Sequence, residues 1–303
     1  MLSQGLGMGI GIGLCYVPAL STAAHHLPNR QAIAMGIIAS SGSFGGGIFS
    51  ILLNHLIPQH GFPLAVRSTA FLALGLLIIG NALITVPAPS SIPNSNADSD
   101  QPTRSKEPTN LLYIPYLLTL LSGFLGQLGA LFPVFYIQLF ADSHNMPKGF
   151  VFYSITAMNF SIAVGRLLPG YFADRYGAVG SFIVLGSVNA GCAFIMFGAN
   201  HVGGLIAFCI LYGLSFGSAS TLFAPVVTAI MPSEADRGKL IGIALGPIAI
   251  CSLVGTPLGG AIIGRDFDWW KGILWTGVLL WTAVGIQLVA RQIHLKKMAV
   301  VRY

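Results

Sequence analysis

The chain has 303 residues, of which 54% are hydrophobic and only 8% charged, with 38 glycines and a formal charge of +6. A water-soluble domain carries roughly 25% charged residues, so this composition excludes an ordinary globular protein and fits helices solvated by lipid, each of about 20 apolar residues. The basic residues are scattered one or two per connection and do not interleave with aromatics, which excludes a nucleic-acid surface.

Hydropathy predicts nine membrane spans at roughly 2–22, 33–56, 66–87, 112–138, 150–172, 180–200, 203–228, 240–263 and 272–291. The expected fold is therefore an all-α, polytopic membrane protein. The first span opens on a glycine ladder, Gly5, Gly7, Gly9, Gly11 and Gly13, and Gly42 and Gly46 repeat the theme in the second. Such ladders let membrane helices approach closely. No phosphate-binding lysine follows them, so nucleotide binding is not expected. The N-terminus has no basic region ahead of its apolar run and does not read as a signal peptide. His25 and His26, in the next connection, have no third ligand nearby and read as solvated side chains.

Between the third and fourth spans, residues 88–111 are rich in Pro, Ser and Asn and nearly free of apolar side chains, the composition of a flexible linker. The division expected is a partial N-terminal bundle over 1–87, the linker over 88–111, a six-helix bundle over 112–291 and a tail over 292–303. One set of alternating connections, with the tail, holds ten of the basic residues and the opposite set four (Arg67, Lys148, Arg265 and Lys271). The linker and C-terminus are thus expected in the cytoplasm.

A weak internal repeat supports the division. Pro18-Ala-Leu-Ser-Thr precedes Arg30 by the same twelve residues that separate Pro225-Val-Val-Thr-Ala from Arg237, and Gly36 and Gly242 follow in similar settings. A repeat pairing span one with span seven makes the unit six spans long, so the part before the linker is expected to lack three. Parallel six-span halves joined by a polar linker describe the major facilitator architecture.

The fifth span carries the one charge that lies inside any apolar stretch, Arg166. A cation there costs on the order of 3 kcal/mol even on the lenient insertion scale, so it faces protein or a wet cavity. Two readings stay open: a ligand for an anionic or polar cargo, or a structural cation held by carbonyls of neighbouring helices. Asn159, seven residues earlier, shares its helical face. Gln127 and Tyr212 are further candidates for lining a cavity; Gln138, Asn81, Asn189, Tyr136, Ser215, Ser218 and Gln287 are expected to hydrogen-bond between helices. Just beyond Arg166, Gly170 permits tight helix approach, Asp174 can cap or pair, Arg175 sits at headgroup level and Gly177 allows a sharp turn. Cys15, Cys192, Cys209 and Cys251 all lie in apolar runs without metal-ligand spacing and read as small buried side chains. The spans hold no cluster of acid, base or nucleophile, so no enzyme, metal or cofactor is expected.

Gly170, Asp174, Arg175 and Gly177 resemble the loop motif Gly-x-x-x-Asp-Arg-x-Gly of the major facilitator superfamily. The longer string from Gly165 to Gly177, with Arg67 and the Ala32–Gly46 segment, is similar to the fungal branch of the monocarboxylate porter family. The resemblance runs over nearly the whole chain and implies a twelve-span fold whose first three spans are missing here. It implies that Arg166 contacts a cargo carboxylate, for which a planar, always-charged guanidinium is suited. It also implies that the loop motif holds one conformational state closed. Animal members carry a proton-coupling aspartate where this chain has Ile162, so a coupling proton is not assured. The function expected is a secondary transporter of a small organic acid in a plasma or internal membrane. Efflux of a fungal secondary metabolite and a non-transporting remnant or sensor are the alternatives.

Overall fold

A computed structural model describes residues 7, 9–16, 31–83, 112–231 and 237–301. Every extended element among them is a helix. A first short helix, α1, covers 9–16; the rest are α2 (Gln31–Leu83), α3 (Ile114–Ser143), α4 (Lys148–Leu167), α5 (Pro169–Tyr176), α6 (Ala178–Ala193), α7 (Val202–Ile230), α8 (Arg237–Ile263) and α9 (Trp269–Val301). Among the described residues, seven stretches are long and apolar enough to cross a membrane, the longest being Ile33–Leu83. The linker, the His25–His26 connection and the Pro18–Arg30 half of the repeat lie outside the described residues.

Proline and glycine set the breaks. α2 runs through two predicted spans, interrupted at Gly61 (φ 76°, ψ 164°) between Pro58 and Pro63. The predicted fifth span divides into α4 and α5 at Leu168, because Pro169 has no N–H to continue the ladder. Gly177 (φ 82°) then turns the chain from α5 into α6 with a backbone geometry other residues resist. The Ser181 hydroxyl donates to the Phe172 carbonyl across that turn, 3.0 Å.

Two compact units result, one of Met1–Ser50 with Leu111–Tyr303, the other Ile51–Asn110. Within the first, α3 packs on α9 and α8, α4 on α7, and α6 on both α7 and α9. Without water to drive apolar burial, the contacts that specify such a bundle are close backbone approach and hydrogen bonds between helices. Pro133 removes the amide that would bond the Gly129 carbonyl, and the Thr276 hydroxyl of α9 donates to that carbonyl at 3.2 Å. The hydroxyl of Ser122 donates to Ala283 (2.8 Å), Tyr116 to Leu240 (3.2 Å) and Tyr136 to Thr256 (2.9 Å), all across helices.

Gln287 departs from the expected interhelical bonding. It is fully buried in α9, and neither amide atom has a partner. Leaving a buried polar group unpaired costs about 1–3 kcal/mol. Gln287→Met, which keeps the length, is therefore expected to raise the thermal stability of the purified protein by about that amount. A drop in melting temperature would instead show that the amide is bonded to buried water.

Two other expectations also change. Cys15 is exposed rather than buried. Positions Gly7, Gly9, Gly11, Gly13 and Gly42 have open space where a side chain would go, so the described part of the first ladder meets no neighbour there and only Gly46 of the second does.

Candidate functional site

Arg166 falls in the last turn of α4. Its Nη1 donates to the backbone carbonyl of Ala39 on α2, and it forms no ion pair among the described residues. The carbonyl can accept this bond in addition to its own helical one because oxygen has two lone pairs. A positive charge held by a dipole keeps its net charge.

The approach of α2 to α4 makes this bond possible. A Cβ on Gly36 would lie 2.7 Å from the Arg166 carbonyl oxygen, and one on Gly170 would lie 2.9 Å from Ile33 Cγ1 and 3.1 Å from its backbone nitrogen. Further along, a Cβ on Gly46 would come within 3.3 Å of Asn159 Oδ1. At Gly36 and Gly170 only glycine fits without displacing backbone, whereas at Gly46 the obstacle is the Asn159 side chain. Residues Gly36, Ala39, Ser43, Gly46 and Ser50 make a small-residue face at three- and four-residue spacing. The Asn159 amide is oriented by its own helix, Nδ2 donating to the Ile155 carbonyl at 2.9 Å. Its Oδ1 is left toward Gly46.

Arg166 and Asn159 thus meet the same helix, as their seven-residue spacing predicts. Gln127 and Tyr212 hydrogen-bond to neither. Gln127 is half-buried in α3 and makes no hydrogen bond among the described residues. Tyr212 is fully buried, its hydroxyl donates to the Ala130 carbonyl at 2.8 Å, and its ring stacks between Phe208 and Phe216. In this conformation Tyr212 packs the bundle interior and lines no open space.

The loop motif follows directly. Gly170 brings α5 against Ile33 of α2, and Gly177 takes the turn. Arg175 is exposed, with Nη1 3.1 Å from the Tyr171 hydroxyl and its guanidinium 5.9 Å from the Tyr176 ring centre. The side chain of Asp174 lies outside the described residues. On the other side of α4, Gly165 and Gly217 let α7 come into backbone contact, and Ser218 Oγ lies 2.8 Å from the Gly165 carbonyl. Ile162, where a proton-carrying acid would sit in animal monocarboxylate porters, is buried with its backbone against Gly217, away from α2. The sequence marks Gly36 only as part of the repeat and Gly165 only as the start of the family-like string, and Ala39 not at all, so none of the three is expected to make a helix contact. The small-residue heptad from Gly36 to Ser50 was the available signal. Among the described residues no group of three metal-binding side chains gathers.

Among the described residues every long element is an apolar helix, and the loop motif meets α2 at Gly170. The Major Facilitator Superfamily model matches residues 5–235. The chain belongs to this superfamily. It is a multi-pass membrane protein, and fungal transporters are among its relatives. It is 32% identical over 294 residues to an MFS-type transporter of Ophiocordyceps sp. (strain BCC 1869), covering 96% of this chain and 64% of the relative. It is 31% identical over 263 residues to the agnestins efflux protein of Paecilomyces divaricatus, covering 86% of this chain and 58% of the relative. It is 30% identical over 305 residues to the fujikurins efflux protein of Gibberella fujikuroi, covering 98% and 63%. The chain therefore spans roughly three-fifths of the length of these relatives.

Proposed function

We propose that the protein is a secondary carrier that exports a small organic metabolite bearing an acidic group, by rocking of two helical bundles about a central passage. The observation that carries this reading is the Arg166 guanidinium. It is inside a membrane helix, has no carboxylate partner among the described residues, and is held by one backbone carbonyl at a helix–helix seam. A cargo carboxylate can exchange for that carbonyl, because it brings a full negative charge and can accept two parallel bonds from the guanidinium fork where the carbonyl accepts one. The seam itself is of the kind a rocking carrier needs: Gly36 and Gly170 bring backbones together with few interlocking side chains to disengage. In this scheme the loop motif secures the closed state through Gly170 against Ile33. Relatives named for the efflux of agnestins and fujikurins favour export as the direction.

Uptake of a short monocarboxylate is the second reading, favoured by the Gly165–Gly177 string. Ile162 supports a carrier that does not use an acid at that position for proton symport. To separate the readings, delete the gene in its host and measure metabolites inside and outside the cells. Export predicts that an acidic metabolite accumulates inside and disappears from the medium. Unchanged distribution, with loss of growth on a short organic acid, would overturn export in favour of uptake.

A further inference from the structure

We propose that the C-terminal end of α9, with Tyr113, forms a binding site for the headgroup of an anionic phospholipid. The final stretch of the chain, from Arg291 to Tyr303, contains Arg291, His294, Lys296, Lys297 and Arg302 and no acidic residue. α9 does not stop where its apolar run ends near Ala290 but stays helical to Val301. A helix of 33 residues is about 50 Å long at 1.5 Å per residue, against a hydrocarbon core of about 30 Å. Its basic end is therefore carried to or beyond the headgroups.

Arg291, His294 and Lys297 follow at three-residue spacing and occupy one broad face of the helix. That face is anchored against the start of α3. The Tyr113 hydroxyl is 2.9 Å from His294 Nδ1, and the two rings meet edge to face at 6.1 Å. The Lys297 ammonium lies 4.9 Å from the centre of the Tyr113 ring. This arrangement fixes two of the basic side chains and leaves the Lys297 charge uncancelled. Arg291, Lys296 and Lys297 are exposed and make no ion pair among the described residues. α3 begins with no acidic residue in its first turn and no side-chain cap, so its positive end adds to the same field. Leu295 and Met298 are more than half exposed on the same turns, giving acyl chains an apolar surface beside the charge.

A phosphate diester flanked by acyl chains matches each of these features, and a basic run next to a membrane helix attracts anionic lipid. The charge count assigns this end to the cytoplasm, where the leaflet is the anionic one. The shared chemistry is a phosphate oxygen on lysine and arginine; the acyl contacts at Leu295 and Met298 commit the site to lipid rather than free phosphate.

The test uses the full chain purified in neutral detergent, with bound lipids counted by native mass spectrometry. Titrants are phosphatidylserine, phosphatidylinositol, phosphatidylcholine and inorganic phosphate, compared for wild type, Arg291→Gln, Lys297→Gln, the double variant, Lys297→Arg and Lys239→Gln. The proposal expects the two anionic lipids to bind well above phosphatidylcholine. Each glutamine substitution should weaken binding about fivefold and the pair roughly 25-fold. Lys297→Arg should retain binding, which shows that the site and not the fold is being read. Equal binding of phosphatidylcholine, displacement of lipid by millimolar inorganic phosphate, or an equal loss in Lys239→Gln would each overturn it.

Discussion

Arg166→Ala is expected to lower transport of the physiological cargo by between tenfold and a hundredfold, and Arg166→Lys to recover little of it. The magnitude follows from the 1.5–3 kcal/mol range for a hydrogen bond to a charged group. Lysine keeps the charge but offers a point ammonium on a flexible stem, without the fork that donates two parallel bonds to a carboxylate. The side chain has a second role in the structure, its bond to Ala39, and the two must be told apart. Removing the guanidinium leaves no orphaned partner there, because the Ala39 carbonyl lies within a continuous helix and keeps its own helical bond. The variant should therefore melt close to wild type when no cargo is present. Cargo added at saturating concentration should raise the melting temperature of the wild type and not of the alanine variant. A structural cation gives the opposite pattern: a lower melting temperature for Arg166→Ala, restored by lysine, with transport unchanged once folded protein is equalised.

Much of this arrangement was legible in the residues. The turn at Gly177 follows from a residue that tolerates positive φ, whereas the break at Pro169 lies inside a span predicted as continuous over 150–172 and has its reason in the missing N–H. The common face of Asn159 and Arg166 follows from helical period alone. Other features were not legible, for a reason particular to lipid-solvated helices. In water, polarity reports which face of a helix is buried; among spans that are apolar all round, that signal disappears. A tyrosine such as Tyr212 then reads the same whether it faces a passage or the interior of a bundle. Its fate is decided by the Ala130 carbonyl on another helix, which no pattern within its own segment reveals. The same limit hid which glycines matter. With 38 of them, Gly36 and Gly165 resemble Gly42 and Gly191, yet the first two touch another helix's backbone and the last two face open space.

That contrast supports the second large prediction. A Cβ at Gly165 would strike the Leu214 carbonyl, and one at Gly217 the Ile162 carbonyl; at Gly213 it would lie 2.6 Å from Ser161 Cβ and 3.0 Å from the Met158 carbonyl. These obstacles are mostly backbone, so relief requires α4 and α7 to separate along three successive contacts. Separation also breaks the Ser218 contact to the Gly165 carbonyl and pulls Ile162 and Tyr212 out of the main core cluster. Overpacking of a tight site costs about 1–3 kcal/mol, occasionally more. Gly165→Ala should therefore lower the melting temperature clearly, and Gly165→Ala with Gly217→Ala should leave little folded protein in detergent. Gly191→Ala, in open space on α6, serves as the control and should be neutral or stabilising by up to about 1 kcal/mol, as expected for glycine to alanine in a helix. Gly36→Ala faces a milder obstacle, the Arg166 carbonyl oxygen alone at 2.7 Å, at the seam between α2 and α4 rather than inside the α4–α7 pair. If that seam opens during transport, Gly36→Ala should spare the melting temperature and bias the protein toward the state in which α2 and α4 are apart. Cysteine accessibility at Asn159 would then rise in Gly36→Ala and stay at the wild-type level in Gly191→Ala. A fall in stability at Gly36 as large as that at Gly165 would mean that α2 is a fixed member of the bundle, and the rocking scheme would lose its moving part.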